Sequence, residues 1–592
     1  MRLIYFTLKE CLSAHPDFFS KPHSDIAETC LTYLNSKPVK ALSDGCSPLI
    51  LDTPFLEYCS LYWGVHAKRQ LSDYAMSLAL HLLQEYDGHI SAKSLLSQVQ
   101  QMSPKDLGTS FPFSELHCAS FFRIVEVVAA LIEIEHCDIN EEDFWGYTPL
   151  AWAARNWQEG VVKLLLRRAD VNPDKPNRCG QTPLSHAAQG GCEGVMKILL
   201  ERPEVNPDRA GNLGNTPLLY AAQNGHEELV KILLGREEVN PDEPNDAART
   251  PLSAAAAEGH EGVVKVLLGL EEVNPGKPDN CGRTPLWFAA ANGHGGVVRI
   301  LLGEAQVNPD KPDNHGRTPL SHAASGGHQE VVKILLRRTE VNPDKIDNNG
   351  STPLSYAARN GNEEVVKILL AREEVNPDKP DNIGGTPLSH AAWGGYEGVV
   401  RALLERDDVS PDKPENRGRT PLQSASRGGH EEVVKMLLAR DDVNPDKPNS
   451  HGSTALSLAA EHRHEGVVKI LLTREEVDLE NVDNDGDTPL LCATYGGCAG
   501  VVRILLEREE INPHKRNHAG QTPLSIAAQE GHAAVVKILL LQEDVNPNLP
   551  DNDGQTPLMH ATRNGHQAVI ELLQSHEAVT YGTLPGLWDN TP

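Results

Sequence analysis

The stretch GRTPLSHAASGGHQEVVKILLRRTEVNPDKIDNN, residues 316–349, decides the fold. Thr318 suits a helix N-cap, because its hydroxyl can accept from an orphaned amide, and Pro319 suits the first helical position, where no N–H is needed. A short helix begins there. Leu320, Ala323 and Ala324 give it an apolar face small enough for close approach by a neighbour, and Gly326 and Gly327 end it. A second helix starting near Gln329 carries Val331, Val332, Ile334, Leu335 and Leu336 on one broad buried face. Pro343 stops it, lacking a donor and disfavouring helical geometry in the residue before it. The rest, Asp347 to Gly350, is rich in turn formers and reads as a β-turn or hairpin finger.

Outward from this stretch the pattern recurs without a slip. Thr148, Thr182, Thr216, Thr250, Thr284, Thr318, Thr352, Thr386, Thr420, Thr454, Thr488, Thr522 and Thr556 stand 34 residues apart. Pro follows in twelve of the thirteen units, Ala455 being the exception, and Leu comes next in all. Gly lies two before the Thr in twelve, with Ala248 in its place once, and a positive φ is the simplest reason. Ser114, Leu116, Ala119 and the apolar run 124–132 fit a worn fourteenth unit, so the array spans 112–577. One unit cannot bury its own apolar face, so stability must come from stacking neighbours. The expected fold is an all-α solenoid with a groove along its first helices and fingers, some 140 Å long at roughly 10 Å per unit.

The unit resembles the ankyrin repeat, whose hallmark is Thr-Pro-Leu-His-x-Ala-Ala, then Gly-His and a Val-Val-x-x-Leu-Leu helix. The resemblance covers about four-fifths of the chain and implies a protein-binding module without catalysis. The unit departs in being one residue longer than the common form. It also has Ser185, Ser253, Ser321, Ser355, Ser389, Ser457 and Ser525 where the family has its first-helix His, while His186, His322, His390 and His560 come one place later. The hydrogen bonds of that family His must therefore be made differently.

Residues 1–111 lack the period and read as a small helical domain, with helices over 26–33, 55–63 and 74–86. The words RLIYFTLKECL at 2–12, IAETCLTYL at 26–34 and FLEYCSLYWGVHA at 55–67 resemble the segment joining the NACHT region of fungal NLR-like proteins to their ankyrin arrays. Tyr5 and Cys11 depart from that segment's His and bulky aromatic. The resemblance implies a nucleotide-binding core ahead of the segment. No G-x-x-x-x-G-K-[ST] loop is present in this chain, which as it stands is not expected to hydrolyse nucleotides and reads alternatively as the sensor half of such a receptor. Residues 578–592 read as a tail.

Charge and composition narrow the partner. Net charge is −28, of which 1–113 contribute 9 basic and 11 acidic side chains. The array's negative field opposes phosphate backbones and anionic lipid, so a protein partner is expected rather than nucleic acid or membrane. Eleven Cys without C-x-x-C spacing, and no apolar leader, point to a reduced intracellular setting, cytoplasmic or else nuclear. The chain is expected to be monomeric by itself.

No catalytic, metal or cofactor constellation emerges. Eight His (226, 260, 294, 328, 430, 464, 532, 566) recur in the turn between helices and read as structural, whereas His186, His322, His390 and His560 read as exposed and open to a partner. Acid pairs such as Glu373-Glu374, Asp407-Asp408 and Asp441-Asp442 recur as a solvated face, and no Ser-His-Asp or Cys-His arrangement stands out. Positions one and three before the Thr, and four, seven and eight after it, are expected to face the groove. Aromatic and Arg residues there are the types that dominate interface hot spots, which selects Trp152, Tyr220, Phe288, Arg317, Tyr356, Arg359, Trp393, Arg419, Arg427 and Tyr495 as partner-binding candidates.

Overall fold

Thr318 opens its unit as expected. In the computed structural model its Oγ1 accepts from the Ser321 amide at 3.1 Å, and Pro319 begins the first helix, Pro319–Ser325. The second helix, Gln329–Leu335, starts at the residue the sequence indicated. Leu320, Ala323, Ala324, Val331, Val332 and Leu335 are fully buried, each larger side chain contributing about 1.5–3 kcal/mol. The structure describes residues 22–36, 39, 59, 60, 62–64, 67, 72–83, 113–134, 137–542 and 545–581.

Fourteen helix pairs follow one another, from Glu115–Phe122 with Val125–Leu131 to Pro557–Asn564 with Gln567–Tyr581. Among the described residues the chain is helix and turn, with no strand. It forms two compact bodies, one of residues 1–289 and 296–307, the other of 290–295 and 308–592. Within each, first helices pack on first helices and second on second. Within each body the apolar face of a unit is thus covered by its neighbours, and the class is an all-α, solenoid-like repeat.

The fingers are turns stitched to one another. The Asp347 amide donates to the Ser351 carbonyl at 3.1 Å, and the Asn348 amide reaches back one unit to His315 O at 2.9 Å. The Gly two before the Thr has φ near +80° throughout, and Ala248 adopts +59° in the same role.

Three further rungs join successive units inside each body. The ring Nε2 of the turn His meets a carbonyl of the preceding first helix, as in His260 to Gln223 O (3.0 Å) and His430 to Trp393 O (3.0 Å). An Arg at the end of the second helix donates to the carbonyl end of the preceding second helix, as in Arg236 to Leu200 (3.0 Å) and Arg406 to Leu370 (2.9 Å). In the loop after the second helix, the Lys of most units reaches the carbonyl and carboxylate of an acid one unit back, for example Lys277 to Asp242 (2.8 and 2.9 Å) and Lys379 to Asp344 (3.0 and 2.7 Å). Each such bond is worth about 1 kcal/mol, and their number sets the repeat rigidly.

Ahead of the array, helices Pro22–Leu34 and Asp73–Leu83 pack together, with Asn35 Nδ2 donating to Leu78 O at 2.9 Å. Buried Trp63 lies 5.3 Å from Phe122 of the first pair. The last helix runs to Tyr581, past the array end expected at 577 and into the expected tail 578–592, whose remaining residues 582–592, with the words at 2–12 and most of 55–67, lie outside the described residues.

Candidate interaction face

The face is assembled from finger and first helix, and one side chain joins the two. Five before the Thr stands an Asp in most units. Asp347 Oδ1 accepts from the amides of Asn349 and Ser351, both at 2.9 Å, which closes the turn, while Oδ2 accepts from the Tyr356 hydroxyl at 2.5 Å. Asp143 takes Trp152 Nε1 at 2.9 Å in the same way. Asp313, Asp381 and Asp551 hold His322, His390 and His560 at 3.2, 2.9 and 2.7 Å. Nine residues separate the partners each time, so the fourth residue after the Thr is drawn under its own finger.

Burial corrects the sequence reading at several positions. Trp152, Phe288 and Tyr356 are only 1, 6 and 7% exposed and offer no surface to a partner. Trp152 packs among Phe113, Phe121 and Tyr147, and Phe288 lies between the Arg249 and Arg283 guanidiniums. Burial and the Asp347 carboxylate push the Tyr356 hydroxyl up to about 12. His186 and His560 are buried too, and His322 and His390 half-buried, not exposed. Burial holds His186 down at about 3. Gly211 stands where other fingers carry Asp, Asn or Glu, and there Tyr220 stays half-exposed, its hydroxyl accepting from Gln181 Nε2 at 2.9 Å.

The missing family His is also accounted for. In the first unit His117 does occupy that place: Nδ1 accepts from the Ser114 amide (3.2 Å) and Nε2 donates to the next finger at Tyr147 O (2.9 Å). Burial keeps it neutral, down at about 4. Gln423 reproduces both bonds, accepting from the Thr420 amide at 3.1 Å and donating to Ser453 O at 3.0 Å. The Ser units close only the local cap, as in Ser321 Oγ to Thr318 Oγ1 at 3.0 Å.

The remaining candidates are at the surface. Trp393 is 51% exposed, with the Arg419 and Arg427 guanidiniums 5.3 and 5.6 Å from its ring. Half-buried Arg419 pairs with Glu415 at 3.0 Å, whereas exposed Arg427 donates from Nε to His462 Nε2 at 3.3 Å. Arg317 lies 4.9 Å over Tyr356 and 3.6 Å from Asp347, and Arg359 meets Asp381 at 3.3 Å and His390 at 3.0 Å. Burial, then Arg359, pushes the His390 ring below its ordinary value. Tyr495, 37% exposed, donates to Gln521 at 3.4 Å. The structure thus gathers Arg317, Tyr356 and Arg359, and separately Trp393, Arg419 and Arg427. Tyr495 sits in another setting: Asp487, one before Thr488, is raised to about 6 by burial, with Asp483 and Asp485 adding repulsion, and Tyr495 is raised to about 12.

Sequence reasoning missed two features. Ile383, three before Thr386, is exposed on a finger, at a position the unit had already marked as outward. Trp157 and Arg463 hold φ of +61° and +68° where eleven of the thirteen units have Gly, a conformation costly for bulky side chains. Among the described residues no helix is long and apolar enough to cross a membrane.

Short helix pairs repeating every 34 residues, joined by turn fingers and backbone-directed rungs, define a helical repeat protein whose variable surface lies on one face. The family model for ankyrin repeats in sets of three matches in overlapping stretches from 80–177 to 508–581, which together span 80–581. The chain belongs to the ankyrin-repeat family. No curated protein matches it. Ankyrin repeats are, in general, protein-interaction modules and typically non-catalytic.

Proposed function

We propose that this chain is a recognition arm or scaffold that binds a partner protein on the finger and first-helix face, without chemistry of its own. The observation that carries this reading is the division of labour within the unit. Rungs are addressed to backbone carbonyls and repeat, while the outward positions of the face vary and expose Trp393, Tyr495 and Arg427. Exposed aromatic and Arg side chains on a rigid support are what hot spots are made of. The chain acts as a monomer. It works in a reduced intracellular compartment, the cytoplasm before the nucleus, in keeping with cysteines that are unpaired among the described residues.

The test places a photo-crosslinking residue at 393 or 495, and as controls at 401 or 503 on second helices, in cells. Crosslinks to one partner from the first pair only are expected. Changing Trp393 and Tyr495 together to Ala should weaken capture about tenfold with an unchanged helical melt. Equal crosslinking from 401 and 503 overturns the placement.

A second reading, the sensor arm of a NACHT-type receptor, is supported by the word at 26–34, which forms the helix Pro22–Leu34 ahead of the array. Sequencing the full transcript tests it. An in-frame phosphate-binding loop upstream supports it, and a transcript coding for no such loop removes it.

A further inference from the structure

We propose that the face of the Thr318, Thr352, Thr386 and Thr420 units docks an extended acidic segment of the partner, its carboxylates seated on Arg359, Arg419 and Arg427 around Trp393. This rests on the docking face proposed above and names the chemistry it reads.

Charge placement carries the inference. At the five groove positions of these four units the sequence holds Arg317, Arg359, Arg417, Arg419 and Arg427 and no Asp or Glu, in a chain with net charge −28. Acid is abundant in the same units but lies elsewhere, as at Glu363, Glu364, Glu431 and Glu432 on second helices. The carboxylates behind the face are already committed: Asp347 to its turn and Tyr356, Asp381 to its turn and His390, Glu415 to Arg419. They orient the guanidiniums without covering them. The Arg427 side chain is exposed, and its hydrogen bond goes to an imidazole nitrogen of His462 and to no carboxylate.

The chemistry favours a carboxylate over other anions. Two guanidiniums held beside one indole are fixed in orientation, and guanidinium offers paired donors matched to a carboxylate. Phosphate polymers would also be attracted locally, but the surrounding field opposes a long polyanion. A peptide carries its negative charge in patches that fit between acidic neighbours.

Spacing sharpens this into a sequence preference. Successive units are separated by roughly 10 Å, and an extended chain advances about 3.3–3.6 Å per residue. One unit therefore corresponds to about three peptide residues, so acids spaced in multiples of three meet the guanidiniums, the Thr386 unit contributing Trp393 and no Arg. The footprint ends where the same positions become Glu461, Asp485 and Asp487.

The experiment uses the full chain and a fluorescein-labelled peptide of Glu-Ser-Gly repeated four times, read by anisotropy at low salt. Controls are the matching Lys-Ser-Gly peptide and an oligothymidine of similar length. The acidic peptide should bind, release on adding salt, and bind about fivefold more weakly to Arg359→Glu or Arg427→Glu. Arg401→Glu, an exposed change on a second helix, should leave it unaltered. No binding of the acidic peptide, equal binding by Arg427→Glu, or preference for oligothymidine overturns the proposal. If crosslinks from 393 and 495 capture a partner while the acidic peptide fails, the docking face stands and its acidic preference falls. Absence of those crosslinks removes the face itself.

Discussion

The units around Thr318 to Thr420 and those around Thr488 to Thr556 share one backbone and differ on one face. Both sets have Thr caps with Pro at the first helical position, positive-φ finger glycines and turn-closing finger residues. Yet the position before the Thr holds Arg317 and Arg419, beside Ser351 and Gly385, in the first set, and Asp487, beside Gln521 and Gln555, in the second. The first gathers guanidiniums on aromatic rings, whereas in the second three finger carboxylates, Asp483, Asp485 and Asp487, repel one another. The difference teaches where this fold keeps its freedom. Bonds to carbonyl oxygens do not depend on side-chain identity in the neighbour, so the rungs survive any change on the face.

The largest effect should break the likeness of the two finger turns. Asp347 closes its turn and also holds Tyr356 while 5% exposed, but Asp483 closes the equivalent turn from a half-buried position, with Cys492 in place of the tyrosine. Asp347→Ala should cost about 3 kcal/mol, because two amides and a buried hydroxyl lose a charged acceptor. Asp483→Ala should cost about 1 kcal/mol, since water can reach the freed amides and repulsion on Asp487 falls. Urea titration of each variant measures this, and equal losses would show that the second oxygen of Asp347 contributes nothing.

How far these differences could be read from the sequence depends on the range over which they are set. The cap at Thr318, the start of the second helix near Gln329 and the left-handed residue at Ala248 all follow from chemistry within a few residues, and all were legible. Burial of Trp152, Phe288 and Tyr356 was not, because each looks like an exposed aromatic until the finger closes over it. A signal was present at nine residues' distance, where Asp143 and Asp347 precede Trp152 and Tyr356 while Gly211 precedes half-exposed Tyr220. Exposure of Trp393 was legible, because it lies at the end of its helix, three residues past the position drawn under the finger.

A smaller effect concerns the acidic set alone and turns on pH. Asp487 has a folded-state value near 6 against an ordinary 3.8, so folding favours its protonated form. Its contribution is fully favourable below about pH 4 and is lost as pH rises through 6. At pH 7 the charge is a cost, and Asp487→Asn should stabilise the fold by about 1–2 kcal/mol, keeping an acceptor for Asn517 Nδ2, which lies 3.0 Å from Oδ1. Below about pH 4 the gain should vanish. Thermal melts across this range read it, and a gain independent of pH would assign the effect to packing instead.

The smallest expected effect lies at the border between the two sets. Arg463, in the Thr454 unit, is exposed and held at φ +68° where most units have Gly. Releasing a left-handed non-glycine residue gains about 1–2 kcal/mol, but Gly costs about 0.5–1 kcal/mol through the freer unfolded chain. Arg463→Gly should therefore stabilise by only about 0.5 kcal/mol, seen as a slightly higher urea midpoint with an unchanged slope. The neighbouring rung from His464 Nε2 to Arg427 O, 2.9 Å, does not use the Arg463 side chain and should persist. Binding of the acidic peptide should not change, because Arg463 lies in the helix-to-helix turn, outside the five groove positions. A loss of affinity in this variant would extend the basic set by one unit and move its border past Glu461.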